Sequence, residues 1–161
     1  MKTEMISAYL EKILEDWTGS DKLTTDADGD YTIPFGKSLV FTRVRGSQDR
    51  PTVTAMSVAV TEIEQTPDLL IELNNINSKL MFVRTYWSEN RVIFDGEITA
   101  NAIDPEEVTT LVGWVGNNAN DVADTLIAKF GGQRPFQDRF KNSGPADPDK
   151  PSDDNRTGLY L

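Results

Sequence analysis

Histidine and cysteine are both missing from this 161-residue chain. Without histidine there is no side chain that ordinarily titrates near neutral pH, and the commonest metal ligand is gone. Without cysteine there is no thiol nucleophile, disulfide or thiolate ligand. Ser-His-Asp and Cys-His catalysis and the His/Cys zinc cage are thereby excluded. Carboxylates, lysine, tyrosine and hydroxyls remain, in no ordered constellation. Long apolar runs are also lacking: none approaches the roughly 20 residues of a membrane helix. The opening Met1-Lys2-Thr3-Glu4-Met5 has no apolar leader segment. Positive charge is scarce, with 16 Lys and Arg against 26 Asp and Glu and a formal charge of -10. Such a balance repels phosphate backbones and anionic bilayers, so neither nucleic acid nor membrane is an expected partner. The first expectation is a cytoplasmic binding module that is not an enzyme and has no cofactor and no metal.

Periodicity then supplies the elements. Ile6, Leu10, Ile13 and Trp17 recur at helical spacing, which predicts a helix over Glu4–Trp17. A polar loop spans Thr18–Asp30. Strands are predicted at Tyr31–Phe35, Ser38–Arg45 and Thr52–Thr61, the last with Thr52, Thr54, Met56, Val58 and Val60 on one side. Thr66-Pro67 caps a second helix running to Asn77. Leu80–Trp87 and Arg91–Ala100 read as a hairpin, with Asn90 suited to a left-handed turn. Asp104-Pro105-Glu106-Glu107 opens a long last helix that Gly131-Gly132 ends, about 39 Å in length. From Gln137 onward Pro145, Pro148 and Pro151 sit among polar residues, as in a linker, yet the run closes with Leu159-Tyr160-Leu161. The organisation expected is a domain over residues 1–136 and a flexible tail over 137–161.

Sites for chemistry fail one by one. Asp26-Ala27-Asp28-Gly29-Asp30 resembles a calcium loop, but an EF-hand needs Gly at its sixth position and Glu at its twelfth, where this chain has Tyr31 and Lys37. Asp104, Glu106 and Glu107 are explained by capping and the helix dipole. Gly131-Gly132 follows a helix instead of opening one, the wrong end for an anion. Asp95 and Glu97 share a strand face opposite Val92, Phe94, Gly96 and Ile98, so they are expected to face water. A small hydrolase using that pair is the enzymatic rival.

Binding has better candidates. Arg43 and Arg45 share one strand face, and Arg84 and Tyr86 share another. With Trp87 they are the expected peptide-binding surface. Trp114 lies about 120° from the apolar stripe of the last helix on a helical wheel. It is reserved for a dimer or partner interface, while the small flank of Gly113, Gly116 and Ala123 is expected to receive the first helix. Leu159, Tyr160 and Leu161 are a candidate docking motif.

The stretch Leu73-Asn74-Asn75-Ile76-Asn77, the strand with Arg84 at its centre, the following Arg91-Val92-Ile93-Phe94 and the Asp-Pro-Glu-Glu helix with Ala119, Ala123 and Asp124 resemble the YbjN-like bacterial family. That family shares the type III secretion chaperone fold. The resemblance runs over about residues 1–132 and implies a noncatalytic domain that holds extended polypeptide or docks to a partner protein, often as a homodimer. The fold expected is therefore α+β: an antiparallel twisted sheet of about five strands, order αβββαββα, with helices on one face. Function is read as chaperone- or adaptor-like binding of a protein or peptide client. The alternative is a regulatory or structural subunit of a fixed complex.

Overall fold

A computed structural model describes residues 3–140. Its elements are α1 (Thr3–Thr18), β1 (Thr24–Thr25), β2 (Tyr31–Phe35), β3 (Ser38–Gly46), β4 (Pro51–Thr61), α2 (Pro67–Asn77), β5 (Arg84–Ser88), β6 (Arg91–Thr99), α3 (Pro105–Phe130) and the short α4 (Gln137–Phe140). The strands form one antiparallel sheet in the order β1-β2-β3-β4-β6-β5. This is the expected α+β architecture with one strand more. β1 is only two residues paired with Thr32 and Tyr31, too short to leave an alternation in the sequence.

Caps act where the sequence places them. Thr66 Oγ1 accepts from Leu69 N–H, and Asp104 accepts from the N–H groups of Glu106 and Glu107. The β5–β6 turn uses positive φ at both Glu89 and Asn90, the two-residue turn whose twist suits a hairpin. β5 begins at Arg84 and not at Leu80, because Phe82 has φ +62 and cannot continue a strand.

One main core joins the helices to one sheet face. Ile6, Leu10 and Leu14 of α1 and Val108, Leu111, Val115, Ala119 and Ala123 of α3 pack on Ile33, Val40, Val53, Ala55, Val92 and Phe94. The simple alternation expected through β4 breaks near its end. The register shifts between Val58, opposite Ile93, and Val60, opposite Val92. That bulge turns Val60 into the same core as Val53, instead of leaving it beside Thr52 and Met56.

α1 does lie along the small flank of α3. The Trp17 ring is 3.9 Å from where a Cβ on Gly113 would be, and Gly116 receives the Phe35 ring. Trp17 and Phe35 are themselves in contact, centroids 5.9 Å apart.

Candidate peptide-binding face

Strand alternation carries Leu39, Phe41, Arg43 and Arg45 of β3 to the sheet face away from the helices. The register sets Phe41 opposite Met56, Met56 opposite Asp95 and Asp95 opposite Arg84, one row across four strands. A second row contains Val58, Ile93 and Tyr86. Arg43 stands opposite Thr54, which stands opposite Glu97. Arg43, Arg45, Arg84 and Tyr86 thus share one surface. Three strand spacings, about 14 Å, separate the β3 arginines from β5.

Trp87 does not join them. Neighbouring residues on a strand point to opposite faces, so Trp87 lies on the helical side opposite Val92. There it packs on the main core and donates from Nε1 to the Ile63 carbonyl at 2.9 Å. Its grouping with Tyr86 is corrected by the strand period itself.

Asp95 organises the β5 side. It accepts from Arg84 Nε at 2.7 Å and from the Tyr86 hydroxyl at 2.6 Å. The Arg84 guanidinium also lies 5.3 Å from the centre of the Tyr86 ring. Burial first, then the bond to Asp95, pushes the Tyr86 phenol up to about 12. Tyr86 therefore stays a donor at neutral pH. Its contribution to stability is fully present below the ordinary phenol value of 10.0 and declines as pH rises through about 12. A phenolate absorbance titration of wild type and Tyr86→Phe checks this: the variant should lack the highest-pH component and the matching loss of stability.

At the other end Arg43 Nε lies 3.0 Å from Asp30 Oδ1. The approach is off-axis, and that buried oxygen has no hydrogen bond among the described residues. Burial raises the Asp30 carboxyl more than the nearby Arg43 lowers it. Arg45 and Glu97 are exposed. Asp95 and Glu97 are thus not a pair in open water: Asp95 is engaged by two donors and Glu97 alone is free to solvent.

Between these ends the face is apolar, which charge-by-charge reading missed. Leu39, Val58 and Ile93 are only 2%, 8% and 5% exposed, yet none belongs to the main core. The signal was present in Leu39-Val40-Phe41, Val58-Ala59-Val60 and Val92-Ile93-Phe94. Unbroken apolar triplets in strands mean burial on both faces. Part of the cover comes from beyond α3, where the Phe136 ring lies tilted against Phe41 with centroids 5.9 Å apart.

Trp114 is half-buried, and Phe82 stands edge-on to it at 6.4 Å. A residue of the same chain therefore covers part of the ring reserved for a partner. Phe82 is the outermost aromatic there, 69% exposed. Leu159, Tyr160 and Leu161 lie outside the described residues.

Residues 4–138 match the TY-Chap1 family model, described as T3SS (YopN, CesT) and YbjN peptide-binding chaperone 1. The chain belongs to this family. The solved structures similar to this TY-Chap1 chain include two complexes. The ExsC-ExsE complex shares 15% identity with a TM-score of 0.60, over 78% of this chain and 97% of that one. The Yersinia pestis type III secretion chaperone SycH, in complex with a stable fragment of YscM2, shares 15% identity with a TM-score of 0.53, over 71% and 96%. At that identity the likeness is one of fold. No curated protein matches the sequence. The YbjN-like resemblance and the chaperone fold read from the sequence are thereby established, and with them a chaperone-like binding domain.

Proposed function

We propose that this TY-Chap1 protein holds an extended segment of a client polypeptide on the open sheet face. The observation that carries this reading is the apolar strip Phe41–Met56, half-exposed between the Arg84–Tyr86–Asp95 network and Arg43 with Arg45. Apolar client side chains fill the strip, and the arginines bind carboxylates and backbone carbonyls. We read the protein as noncatalytic, because Asp95 is committed to Arg84 and Tyr86 and Glu97 has no acid/base partner beside it among the described residues. A cytoplasmic, bacterial setting fits the chain without cysteine and the secretion chaperones that share its fold.

Peptides selected by display on the full chain test the reading. Met56→Glu should weaken their binding at least about tenfold, the equivalent of 1.4 kcal/mol. Equal binding to both proteins, or no selectable peptide, would overturn it.

A homodimer belongs to the same proposal. Leu70 and Ile71 on α2 and Met81 and Phe82 before β5 are exposed apolar side chains that an interface would cover. They equally favour the second reading, a subunit of a fixed complex. Mass in solution separates the two: a dimer that Phe82→Ser converts to monomer supports self-association, and a monomeric wild type supports the fixed-complex reading.

A further inference from the structure

We propose that the open sheet face is also the docking site, in cis, of this chain's own residues 141–161, so that a client has to displace an internal occupant. The inference rests on the reading of that face as a peptide site.

The route of the chain is the first support. α3 ends at Gly131 and Gly132, with φ +82 and +86. Gln133 then pairs with Thr61 through two backbone bonds of 2.8 and 2.9 Å. Arg134 is clamped by Asp124 Oδ1 at 2.8 Å and by the Asn120 carbonyl at 2.9 Å. Pro135 is buried, and Phe136 reaches Phe41 on the open face. The polypeptide has by then left the helical layer, rounded the end of the sheet and arrived on the opposite surface. The last contact described along this route, Phe136 on Phe41, is at the apolar strip.

Length and chemistry are the second support. Residues 141 to 161 extend roughly 70 Å when stretched, against about 24 Å across six strands. Pro145, Pro148 and Pro151 disfavour a helix and suit an extended path. Asp153 and Asp154 complement Arg43, Arg45 and Arg84, and Leu159-Tyr160-Leu161 matches the half-exposed Phe41 and Met56. Tethering gives such a segment an effective concentration on the order of millimolar, so weak intrinsic docking suffices.

The absence of native cysteine makes the test clean. Full-length Thr157→Cys carrying a nitroxide is examined by amide NMR at several dilutions. Docking in cis broadens the Met56, Arg84, Tyr86 and Asp95 amides, spares the exposed side of α1, and does not change with dilution. Sparing of all sheet amides overturns the proposal. So does broadening that persists when nitroxide and isotope are on different chains, which makes the occupant a second copy. In a parallel arm, replacing Leu159, Tyr160 and Leu161 by serine should raise the affinity of display-selected peptides about tenfold if the face is nine-tenths occupied. Peptides that bind wild type and triple variant alike also overturn it, and in that case the client reading stands on its own.

Discussion

Gly116→Val should destabilise the protein by about 3 kcal/mol, while Gly113→Ala, one turn away on the same helix, should stabilise it by up to about 1 kcal/mol. Both glycines interrupt the middle of α3, where each costs helix propensity, and sequence alone treats them alike. The structure separates them. A Cβ on Gly116 would sit 2.3 Å from Phe35 Cγ and 2.4 Å from Cδ2. These are the ring's inner atoms, so no swing of a flexible tip relieves the clash, and the ring is backed by Trp17 at 5.9 Å. Valine adds two methyls to that overlap. A Cβ on Gly113 would meet only the Trp17 ring at 3.9 Å, an ordinary contact, and would gain alanine's helical preference. Denaturant midpoints for the two variants decide the matter. Equal signs would mean that α1 and β2 do not pack on α3 as described.

Asn77→Ala should cost about 1–3 kcal/mol and should also promote self-association. β5 is an edge strand, and its outward-facing Thr85 N–H and C=O need partners. Asn77 supplies both at once: its Oδ1 accepts from Thr85 N–H at 2.8 Å, and its Nδ2 donates to the Thr85 carbonyl at 2.9 Å. The carboxamide thus imitates a neighbouring strand and closes the edge. Thr85 is 3% exposed, so water replaces these bonds poorly once the side chain is cut back. Thermal unfolding measures the first effect, and concentration-dependent light scattering the second. An alanine variant as stable and as monodisperse as wild type would show that the edge needs no closure.

Asn77 also shows where legibility stops. It stood out in the sequence as part of Leu73-Asn74-Asn75-Ile76-Asn77 but had no physical role there, because its partner is eight residues away across a helix end. Arg84 and Asp95 are a similar case. Both were visible as strand residues, but only the β5–β6 register places them opposite one another. Trp87 runs the other way: strict alternation already separated it from Tyr86, and counting its aromaticity above its parity misplaced it.

The sequence by itself determined the class of protein and the element order. Missing histidine and cysteine removed most catalytic chemistry, and caps such as Thr66-Pro67 and Asp104-Pro105 act locally, so α2 and α3 begin where the residues said. Hydrophobic spacing likewise marked the core faces of α1, α3 and β6, since burial on one side leaves a period that a single strand or helix records. Only the tertiary structure decided what sits on the open face. Phe136 on Phe41, the Gln133–Thr61 pairing and the pairing of Val58 with Ile93 are contacts between residues 35 to 95 positions apart. Such contacts are set by strand order and by the turn after α3, and neither leaves a periodic trace in the residues that make them.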